Sequence, residues 1–519
     1  MKRVAVLGGG PGGLYAARLL RLAHPHLEVT VHEQCLPATT FGFGVALGAR
    51  TQRNLEAADP DTLRDIIAAS RPHDMTMQVR GCAARVPGGR LVAIARTELL
   101  ALLARHAEKA GVDLRFGERV EAADLDADLV IIADGVNSAA RTALADQLGV
   151  HVDVGRGLYL WAGTDFALDE ALFAPATTAH GTFVAHAYPY AADRSTFLIE
   201  VDQATWRSAG FDASTAATAP DASDETALTY LSDAFAEYLD GHRLIGNRTR
   251  WLRFRTVTCD RWSHDGRVLL GDAAHTAHYS VGSGTKLAME DAIALCAALG
   301  AEPDRDSALA RYQAERKPAV GRMQALARRS QWWWDSFPAR AHLPVDQLTV
   351  AYMTRAGNVS LERFAASTPE VTRAGLAQFA NTTPEQVDLD GPVGWVTDQP
   401  LDGFPRRLVE RSQFVLGSGV EPPSPDALVE VTEVPVDPWG ADADVLVERV
   451  RAQLEHGWRG VWITAPTDRD GLLTSLDLAE RFRLIGAFVV TEGRAELLAD
   501  LAAGLAAART DLIATEDLT

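Results

Sequence analysis

Short apolar runs, separated by glycine-rich turns and amphipathic stretches, open this chain. Arg3 to Leu7 is β-branched and apolar, which is typical of one buried strand. Leu14 to Ala23 repeats its apolar residues with helical spacing, and Leu27 to His32 has the pattern of a second strand that ends at Glu33. Glycine and proline fill the turn between the first strand and the helix. The pattern therefore predicts a strand–turn–helix–strand unit.

The glycines of this turn have the G-x-G-x-x-G spacing of a dinucleotide-binding loop. Gly8 is placed for the tight turn, Gly10 for the close approach of a pyrophosphate, and Gly13 for packing of the helix on the strand. The helix N-terminus would bind the phosphates, and Glu33, 20 residues after Gly13, would accept hydrogen bonds from a ribose. The alternative is a glycine-rich loop with no ligand. The residues predicted to bind the dinucleotide here are Gly8, Gly10, Pro11, Gly12, Gly13, Glu33 and Gln34.

Two further strands are each followed by a short acidic turn. Asp128 to Ala133 predicts a buried strand, and Asp134-Gly135 follows it. Arg267 to Leu270 predicts another, and Gly271-Asp272 follows that one. A helix predicted from Arg96 to Ala110 opens with an arginine. No second G-x-G-x-x-G follows a strand, which argues against a separate NADPH-binding domain.

The three motifs, in this order and spacing, resemble those of the group A flavoprotein aromatic hydroxylases built on the para-hydroxybenzoate hydroxylase fold. The resemblance implies a Rossmann-like FAD domain with an inserted mixed or antiparallel substrate sheet, an α/β and α+β fold. In this family the first motif holds the ADP part of FAD, and the Asp134-Gly135 motif is associated with both FAD and NAD(P)H. Asp272 would contact the ribityl chain and ribose of the flavin, and Arg96 matches the family arginine on the FAD side.

The run after Gly271-Asp272 departs from the wider family. His278 and Tyr279 stand where a proline pair is usual, and Lys286 stands where the family has an asparagine. This variant resembles a narrower branch: the salicylyl-CoA 5-hydroxylases, the monooxygenase half of 2-aminobenzoyl-CoA monooxygenase/reductase, and violacein-pathway hydroxylases. The stretches that agree with this branch are Tyr159 to Asp165, His180 to Tyr188 and Phe197 to Trp206, and Tyr352 to Arg355 favours its aryl-CoA members.

The resemblance implies a monooxygenase that needs no metal. NAD(P)H would reduce FAD, O2 would add at flavin C4a, and the hydroperoxide would transfer an OH to a ring activated by OH or NH2. The favoured substrate is an aromatic acyl-CoA, salicylyl-CoA, which would become gentisyl-CoA. Alternatives are a 2-aminobenzoyl thioester, a carrier-protein-bound aryl group and an indole natural-product intermediate. A different class is a flavin-binding protein that captures a reactive intermediate without oxygen chemistry.

Four residues of the substrate sheet and the flavin loop are candidates to polarise the activating group of the ring: His186, Tyr188, His278 and Tyr279. Their alternative role is ordinary packing, and His275 is expected to be structural. The flavin turn supplies four further candidate cofactor ligands, Gly282, Gly284, Thr285 and Lys286. Lys286, at a predicted helix N-terminus, could stabilise the anionic reduced flavin, or could be a solvated surface lysine. His275 and His278 are not expected to bind a metal, because no Cys or carboxylate lies near them at ligand spacing.

Composition narrows the class of protein. The chain has 47% hydrophobic and 23% charged residues, ordinary values for a globular enzyme, and a net charge of −19, which argues against binding of nucleic acid or an anionic membrane. Residues 391–519 hold 22 Asp or Glu and 11 Arg but no Lys, so they supply 11 of those negative charges. Four scattered cysteines and the absence of an apolar run of about 18 residues predict a cytoplasmic protein without a membrane span. A homodimer is possible.

The order of these patterns predicts a domain plan. Residues 1–70, 96–150 and 255–325 form the FAD domain, and residues 72–95 and 151–254 form the substrate domain. Residues 213–225 are small and polar and predict a surface loop. Residues 326–384 are a helical connection that contains Trp332-Trp333-Trp334, expected to pack against other parts of the protein or, alternatively, to stack on substrate.

Residues 385–519 form a C-terminal α/β domain. Its alternating helices and strands predict parallel strands and resemble the last units of an old yellow enzyme barrel. A whole barrel needs about 250 residues, so we expect a degenerate remnant that binds no FMN.

Overall fold

The structure is a computed structural model that describes residues 1–37, 42–282, 284–466 and 468–516. The chain folds into two compact units. Unit 1 contains Met1–Thr76 and Pro87–Asp335, and unit 2 contains Met77–Val86 and Ser336–Thr519. Among the described helices, none is both long and apolar enough to cross a membrane.

The strands, in chain order, are β1 (Arg3–Leu7), β2 (Glu28–Glu33), β3 (Gly44–Leu47), β4 (Arg71–Pro72), β5 (Met75–Val79), β6 (Cys82–Val86), β7 (Val92–Ala95), β8 (Asp113–Phe116), β9 (Leu129–Ile132), β10 (Val150–Thr164), β11 (Ala171–Thr178), β12 (Gly181–Ala191), β13 (Arg194–Val201), β14 (Trp251–Cys259), β15 (Ser263–His264), β16 (Arg267–Leu269), β17 (Leu408–Val409), β18 (Leu416–Gly417), β19 (Leu428–Val431), β20 (Gly460–Ile463), β21 (Phe488–Gly493) and β22 (Leu512–Thr515).

The α-helices are α1 (Pro11–Ala23), α2 (Ala49–Ala58), α3 (Pro60–Ala68), α4 (Arg96–Lys109), α5 (Ala139–Ala143), α6 (Ala145–Leu148), α7 (Gln203–Ser208), α8 (Phe211–Ala217), α9 (Glu225–Ala234), α10 (Gly284–Ala301), α11 (Arg305–Asp335), α12 (Val345–Thr354), α13 (Leu361–Ser367), α14 (Pro369–Ala380), α15 (Pro392–Thr397), α16 (Ala441–Glu455), α17 (Arg469–Leu484) and α18 (Leu498–Ala506).

The first sheet of unit 1 has the order β15-β16-β9-β1-β2-β8, and all its strands except β15 run parallel. The chain leaves β1 for β2 on one side and reaches β9 on the other, so the strand order reverses beside β1. In an open parallel sheet a ligand binds at the carboxyl ends of the strands where the order reverses. The three sequence motifs follow β1, β9 and β16, so the fold brings all of them to this one edge.

The second sheet of unit 1 is antiparallel, with β14, β10, β13, β12 and β11 as successive neighbours. Its residues alternate between two faces, as the pleat requires. One face carries Leu160, Phe183, Phe197 and Ile199, which form an apolar core with α8 and α9. The other face, here called the site face, carries a mixture of aromatic and polar side chains: Tyr159, Trp161, Phe173, His186, Tyr188, Thr196, Leu198, Glu200, Leu252 and Phe254.

Unit 2 combines the helices α12 to α18 with a six-stranded parallel sheet. The sheet order is β17-β22-β21-β20-β19-β18, so the strands from β18 to β22 lie side by side in chain order. β17 then pairs with β22, through Leu408 opposite Ile513. Trp462 is fully buried on one face of this sheet with Leu428 and Val490, and Val461 lies on the other face in a core shared with α16 and α17.

Two details of the sequence prediction are corrected. Residues 213–225 were expected to form a loop, but the first of them belong to α8, because Phe211 anchors that helix in the core and alanines favour it. Helix α11 runs from Arg305 to Asp335, so the tryptophan cluster, expected in a connection that starts at residue 326, belongs to this helix and lies in unit 1. The predicted boundary at residue 326 therefore falls inside α11.

Candidate functional site

The glycine turn after β1 has the geometry that its sequence predicts. Gly8 has a φ of +109°, and a Cβ there would clash with the carbonyl of Ala133. A Cβ on Gly13 would clash with the carbonyl oxygen of Gly8, so the close approach of α1 to β1 requires glycine. A Cβ on Gly10 would meet no atom within 4 Å. Gly10 therefore faces open space at the N-terminus of α1, where an anionic group can approach.

The acidic and basic groups predicted around the cofactor converge on the same edge. Glu33, at the end of β2, accepts hydrogen bonds from the backbone N–H groups of Gly9 (2.7 Å) and Cys35 (2.8 Å), while the next residue, Gln34, is exposed. Arg96 begins α4, and its Nε is buried with no hydrogen-bond partner among the residues that the structure describes. Burial lowers the pKa of Arg96, and nearby Asp272 works against that shift. A buried N–H without an acceptor indicates a place for a ligand oxygen.

Asp134 and Gly135 follow β9 at this edge. Gly135 has a φ of +83°, which favours glycine, and a Cβ there would meet open space. Burial raises the pKa of Asp134, although its carboxylate accepts a hydrogen bond from the backbone N–H of Ala140 (3.5 Å). The second motif therefore presents a carboxyl group and an open backbone position to the cleft.

A buried network fixes the third motif. The carboxylate of Asp291 on α10 is fully buried and accepts from the Gly271 N–H (3.1 Å) and from Arg316 Nε on α11 (2.8 Å). His275 Nε2 lies 2.7 Å from the same carboxylate. Burial works to raise the pKa of Asp291, but attraction to His275 and Arg316 outweighs it, so the pKa is lowered. His275 is thus held in this buried network, and Asp272 is left exposed at the cleft.

The flavin turn ends at α10. Gly282 has a φ of +59° and open space around its missing Cβ, and α10 starts at Gly284, followed by Thr285 and Lys286. Lys286 is half-buried, and that burial lowers its pKa, against the opposing effect of Glu290. The first turn of α10 therefore carries a partly desolvated cation.

The site face meets the flavin loop at a group of rings. Tyr279 packs edge-on against Tyr159 (ring centroids 4.8 Å apart), and lies 6.3 Å from Trp161 and 5.9 Å from Phe254. Burial, with a smaller contribution from Asp272, raises the pKa of Tyr159 to about 12. Asp272 is therefore close to this aromatic group, which connects the cofactor edge with the sheet.

His278 is buried beside these rings. Its Nδ1 lies 2.8 Å from Ser280 Oγ, which in turn lies 2.7 Å from Ser330 Oγ on α11. Its ring centroid is 4.0 Å from that of Tyr279 and 4.9 Å from that of Phe254. Helix α11 thus holds the loop that carries both predicted residues.

A second group on the same face surrounds His186. Its Nε2 lies 3.3 Å from Glu200 Oε1, and its ring is 4.0 Å from Trp334 and 5.0 Å from Phe173. Burial first, and the nearby charge of Glu200 second, raise the pKa of Tyr279 well above its usual range, so Glu200 lies close to both groups. Sequence analysis singled out His186 and Tyr279 but missed Glu200, although the alternation of β13 already marks it as a charged residue in an apolar strand.

Tyr188 has a different position. Its hydroxyl donates to the carbonyl oxygen of Gly44 (2.8 Å), and Thr196 Oγ1 accepts from the Gly44 N–H (2.9 Å). Burial raises the pKa of Tyr188 to about 12. The structure therefore brings His278, Tyr279 and His186 together, whereas Tyr188 holds the start of β3.

Together these features define a flavoprotein hydroxylase site: the glycine turn, the two acidic turns and the sheet face lined with rings. The similarity of the chain to known proteins agrees with this. Residues 119–327 match the family model of the FAD binding domain. The chain belongs to the FAD-dependent aromatic hydroxylases, and it is an oxidoreductase of the monooxygenase type.

Two named relatives are similar over long stretches. Salicyloyl-CoA 5-hydroxylase from Streptomyces sp is 36% identical over 503 residues, which cover 94% of this chain and 90% of that protein. The 3-hydroxy-4-methyl-anthranilyl-(aryl-carrier protein) 5-monooxygenase of Streptosporangium sibiricum is 38% identical over 359 residues, 69% of this chain and 95% of that protein. Among solved structures, 2-methyl-3-hydroxypyridine-5-carboxylic acid oxygenase has a TM-score of 0.51 at 20% identity, over 72% of this chain and 96% of that chain. It supports the fold.

The described residues fit FAD. Gly10 leaves open space at the N-terminus of α1 for an anionic group, and Arg96 Nε has no acceptor among the described residues. Glu33 and Asp272 add two carboxyl groups at the same edge. In the ranges that the structure describes, no three His, Cys, Asp or Glu side chains are grouped so that they could hold a metal ion.

Substitution of two glycines separates cofactor binding from folding. We expect Gly10→Ala to keep the thermal midpoint of the cofactor-free protein but to lose most of its flavin, because its Cβ occupies space needed by the phosphates. Gly13→Ala should instead destabilise the protein by about 1–3 kcal/mol, because the helix must move away from β1. Flavin-to-protein ratios and urea unfolding measure both effects. Gly321→Ala, in open space on α11, is the matched control; equal flavin content in Gly10→Ala and this control would contradict the assignment.

The Asp291 network gives a pH-dependent stability. The pKa of Asp291 is lowered in the folded protein. The stabilisation of the fold by its carboxylate is therefore fully present above pH 3.8, the ordinary pKa, and is lost as the pH falls through the folded-state pKa. We expect Asp291→Asn to lower the free energy of unfolding by about 3 kcal/mol near neutral pH, with a difference that shrinks at acidic pH. Urea unfolding at several pH values tests this, with the exposed Asp306→Asn as control. If the loss of unfolding free energy in Asp291→Asn were the same at every pH, the charge of the Asp291 carboxylate could not be its source.

Proposed function

We propose that the protein is a cytoplasmic NAD(P)H- and FAD-dependent monooxygenase that hydroxylates an activated aromatic ring held as a thioester, with salicylyl-CoA as the favoured substrate and gentisyl-CoA as the product. The observation that carries this proposal is the group of rings on the site face. Tyr159, Trp161 and Tyr279 meet the flavin loop at the edge where the cofactor residues converge.

The ring-lined face suits a planar aromatic ligand. Aromatic side chains prefer edge-to-face and offset contacts, which Tyr159 and Tyr279 already make with each other and can extend to a substrate ring. Trp161 Nε1 is buried and has no hydrogen-bond partner within the described part of the chain. Such a donor fits the carbonyl oxygen of an acyl group attached to that ring.

The extent of similarity favours a CoA thioester over a carrier-bound one. The relative named for a carrier-bound substrate matches 69% of this chain, whereas the relative named for salicyloyl-CoA matches 94%. A match of 503 residues includes most of unit 2. We therefore infer that the substrate resembles that of the longer relative, and keep the 2-aminobenzoyl, carrier-bound and indole substrates as alternatives.

When bound and reduced by NAD(P)H, FAD would supply the activation of O2, one atom of which would enter the ring while the other would leave as water. The protein supplies position and environment. Arg96, Glu33 and Asp272 hold the cofactor, and the rings of Tyr159 and Tyr279 exclude water from the reacting face. Tyr279 and His278 stand nearest to the flavin turn and are our candidates to hold the ring's OH or NH2 group.

For unit 2 we propose a remnant of an old yellow enzyme barrel without FMN. In a barrel of parallel strands, neighbours follow the chain order and the last strand pairs with the first; β18 to β22 follow that order, and β17 pairs with β22. At the carboxyl ends of the strands, where such barrels bind ligands, Arg411 is paired with Glu430 and Glu492. These three side chains occupy the end of the sheet at which a barrel of this kind would bind its ligand. Two flavins per purified chain would refute this part of the proposal.

The direct test of the function is turnover. FAD-loaded protein should oxidise NAD(P)H faster with salicylyl-CoA than without it, and should form a product with one added oxygen atom that mass spectrometry identifies as gentisyl-CoA. Benzoyl-CoA, which lacks a ring donor, and free salicylate, which lacks the thioester, are the controls. Tight binding of the thioester without NAD(P)H oxidation or product would instead support a protein that captures an intermediate.

A substitution tests the role of Lys286. We expect Lys286→Ala to lower the flavin content or to slow the reduction of bound flavin by NAD(P)H, because a cation near the cofactor stabilises the added negative charge. Stopped-flow reduction without oxygen and the flavin-to-protein ratio measure the two effects. Lys109→Ala, on the exposed end of α4, is the control. Unchanged flavin content and reduction rate in Lys286→Ala would show that Lys286 is a surface residue.

A further inference from the structure

The flavin loop carries a buried histidine whose hydrogen bonds determine where its proton lies. His278 is 4% exposed, and its ring centroid lies 4.0 Å from that of Tyr279 and 4.9 Å from that of Phe254 on the site face. It therefore belongs to the group of rings at which the proposed function places the substrate. Each nitrogen of an imidazole can donate or accept a hydrogen bond, so its contacts decide what the ring offers to a ligand.

The Nδ1 atom of His278 is an acceptor. The backbone N–H of Ser280 donates to it over 3.4 Å, and Ser280 Oγ lies 2.8 Å from it. The first of these hydrogen bonds caps the short helical turn Tyr279–Val281, of which His278 is the N-cap. Because a backbone N–H can only donate, Nδ1 must present its lone pair. A proton on Nδ1 would instead face the Ser280 N–H, and two donors would oppose each other.

Helix α11 holds this arrangement in place. Ser330 is fully buried on α11, and its Oγ lies 2.7 Å from Ser280 Oγ. The Ser280 hydroxyl therefore lies between Ser330 on one side and His278 Nδ1 on the other. This chain of contacts ties the histidine to the helix and fixes which edge of the imidazole faces Ser280.

The proton of the imidazole lies on Nε2 as a result. If the ring is neutral, its single proton is on the nitrogen that does not accept from Ser280, and if the ring is charged, Nε2 is protonated as well. Nε2 is thus a donor in either form, on the ring edge turned away from Ser280 Oγ. A phenolic oxygen has lone pairs that accept from such an N–H. The lone pair of an aromatic amine is delocalised into its ring, and its N–H groups are donors themselves.

We propose that His278 is a specificity-determining residue and that Ser280 is its positioning residue: Ser280 keeps the proton of His278 on Nε2, and this N–H selects an aromatic ring that bears an OH group over one that bears an NH2 group. The inference rests on the proposed function, because it assumes an aromatic thioester at this group of rings. It separates two substrate classes that the sequence leaves open, the salicylyl and the 2-aminobenzoyl thioesters.

Nuclear magnetic resonance tests the position of the proton without any thioester. In FAD-loaded protein with nitrogen-15 in its histidine rings, protonated and unprotonated ring nitrogens differ in chemical shift. The signals that disappear in His278→Gln belong to His278. We expect them to show a protonated Nε2, and an unprotonated Nε2 would overturn the inference.

Binding of two thioesters to FAD-loaded protein without NAD(P)H, followed through the flavin absorbance, tests the selection itself. Wild-type protein should bind salicylyl-CoA about 10- to 100-fold more tightly than 2-aminobenzoyl-CoA, because the amine leaves a buried N–H donor unsatisfied. In His278→Gln the side-chain amide can turn either its oxygen or its NH2 group toward the ligand, so the preference should fall several-fold. His264→Gln, the same change at an exposed residue of β15, should keep the wild-type preference.

Two substitutions of Ser280 test how the proton is held. Ser280→Ala keeps the backbone N–H and should keep the preference, whereas Ser280→Pro removes that N–H and should reduce it. This pair serves as the test if His278→Gln does not retain FAD. An unchanged preference in FAD-loaded His278→Gln or Ser280→Pro would overturn the inference alone, and so would equal binding of both thioesters by wild-type protein. Failure of wild-type protein to bind either thioester would overturn the proposed function and, with it, this inference.

Discussion

The attraction between one buried carboxylate and the groups around it organises the catalytic unit. Asp291 holds the backbone of Gly271, the ring of His275 and the guanidinium of Arg316 at once. These groups come from the end of β16, the turn after it and α11, so a single charge joins the cofactor edge to the longest helix of the chain. Without its cationic partners this carboxylate would be too costly to bury.

Helix α11 connects this buried network with the site face. Fourteen residues beyond Arg316 it presents Ser330 to the flavin loop, and one turn later it presents Trp334 to His186. The same helix is therefore anchored by Arg316 at the cofactor edge and, through Ser330, holds the loop that carries Tyr279. In the proposed function, the cofactor edge and the site face would therefore share one support, which is what a reaction between two bound molecules requires.

The sequence predicts well what depends on neighbouring residues. The glycine spacing of the first turn, the β-branched strands and the alternating helices and strands of unit 2 are local signals, and the structure confirms these elements within a few residues. The carboxyl-edge position of Asp134 and Asp272 follows from a general rule for parallel sheets. The roles of the individual candidate residues stay predictions.

What depends on distant residues could not be predicted in this way. Glu200 faces Tyr159 and Val184 only because β13 pairs with β10 on one side and with β12 on the other, and Tyr279 comes close to it from another part of the chain. The polar stretch over residues 213–225 misled because composition alone does not reveal that Phe211 is buried. Likewise, the hydroxyl of Tyr188 gives no local sign that it will donate to the carbonyl oxygen of Gly44.

The short segment Met77–Val86 has a consequence for how the protein is made. It turns at Arg80 and Gly81, both with positive φ, and Arg80 donates to the carbonyl oxygens of His342 and Leu343, so it belongs to unit 2 although unit 1 surrounds it in the chain. During synthesis Arg80 emerges more than 250 residues before His342 and Leu343 and must wait for them. Closing so long a loop is slow rather than destabilising. The two units are interleaved in the gene, and no single cut separates them.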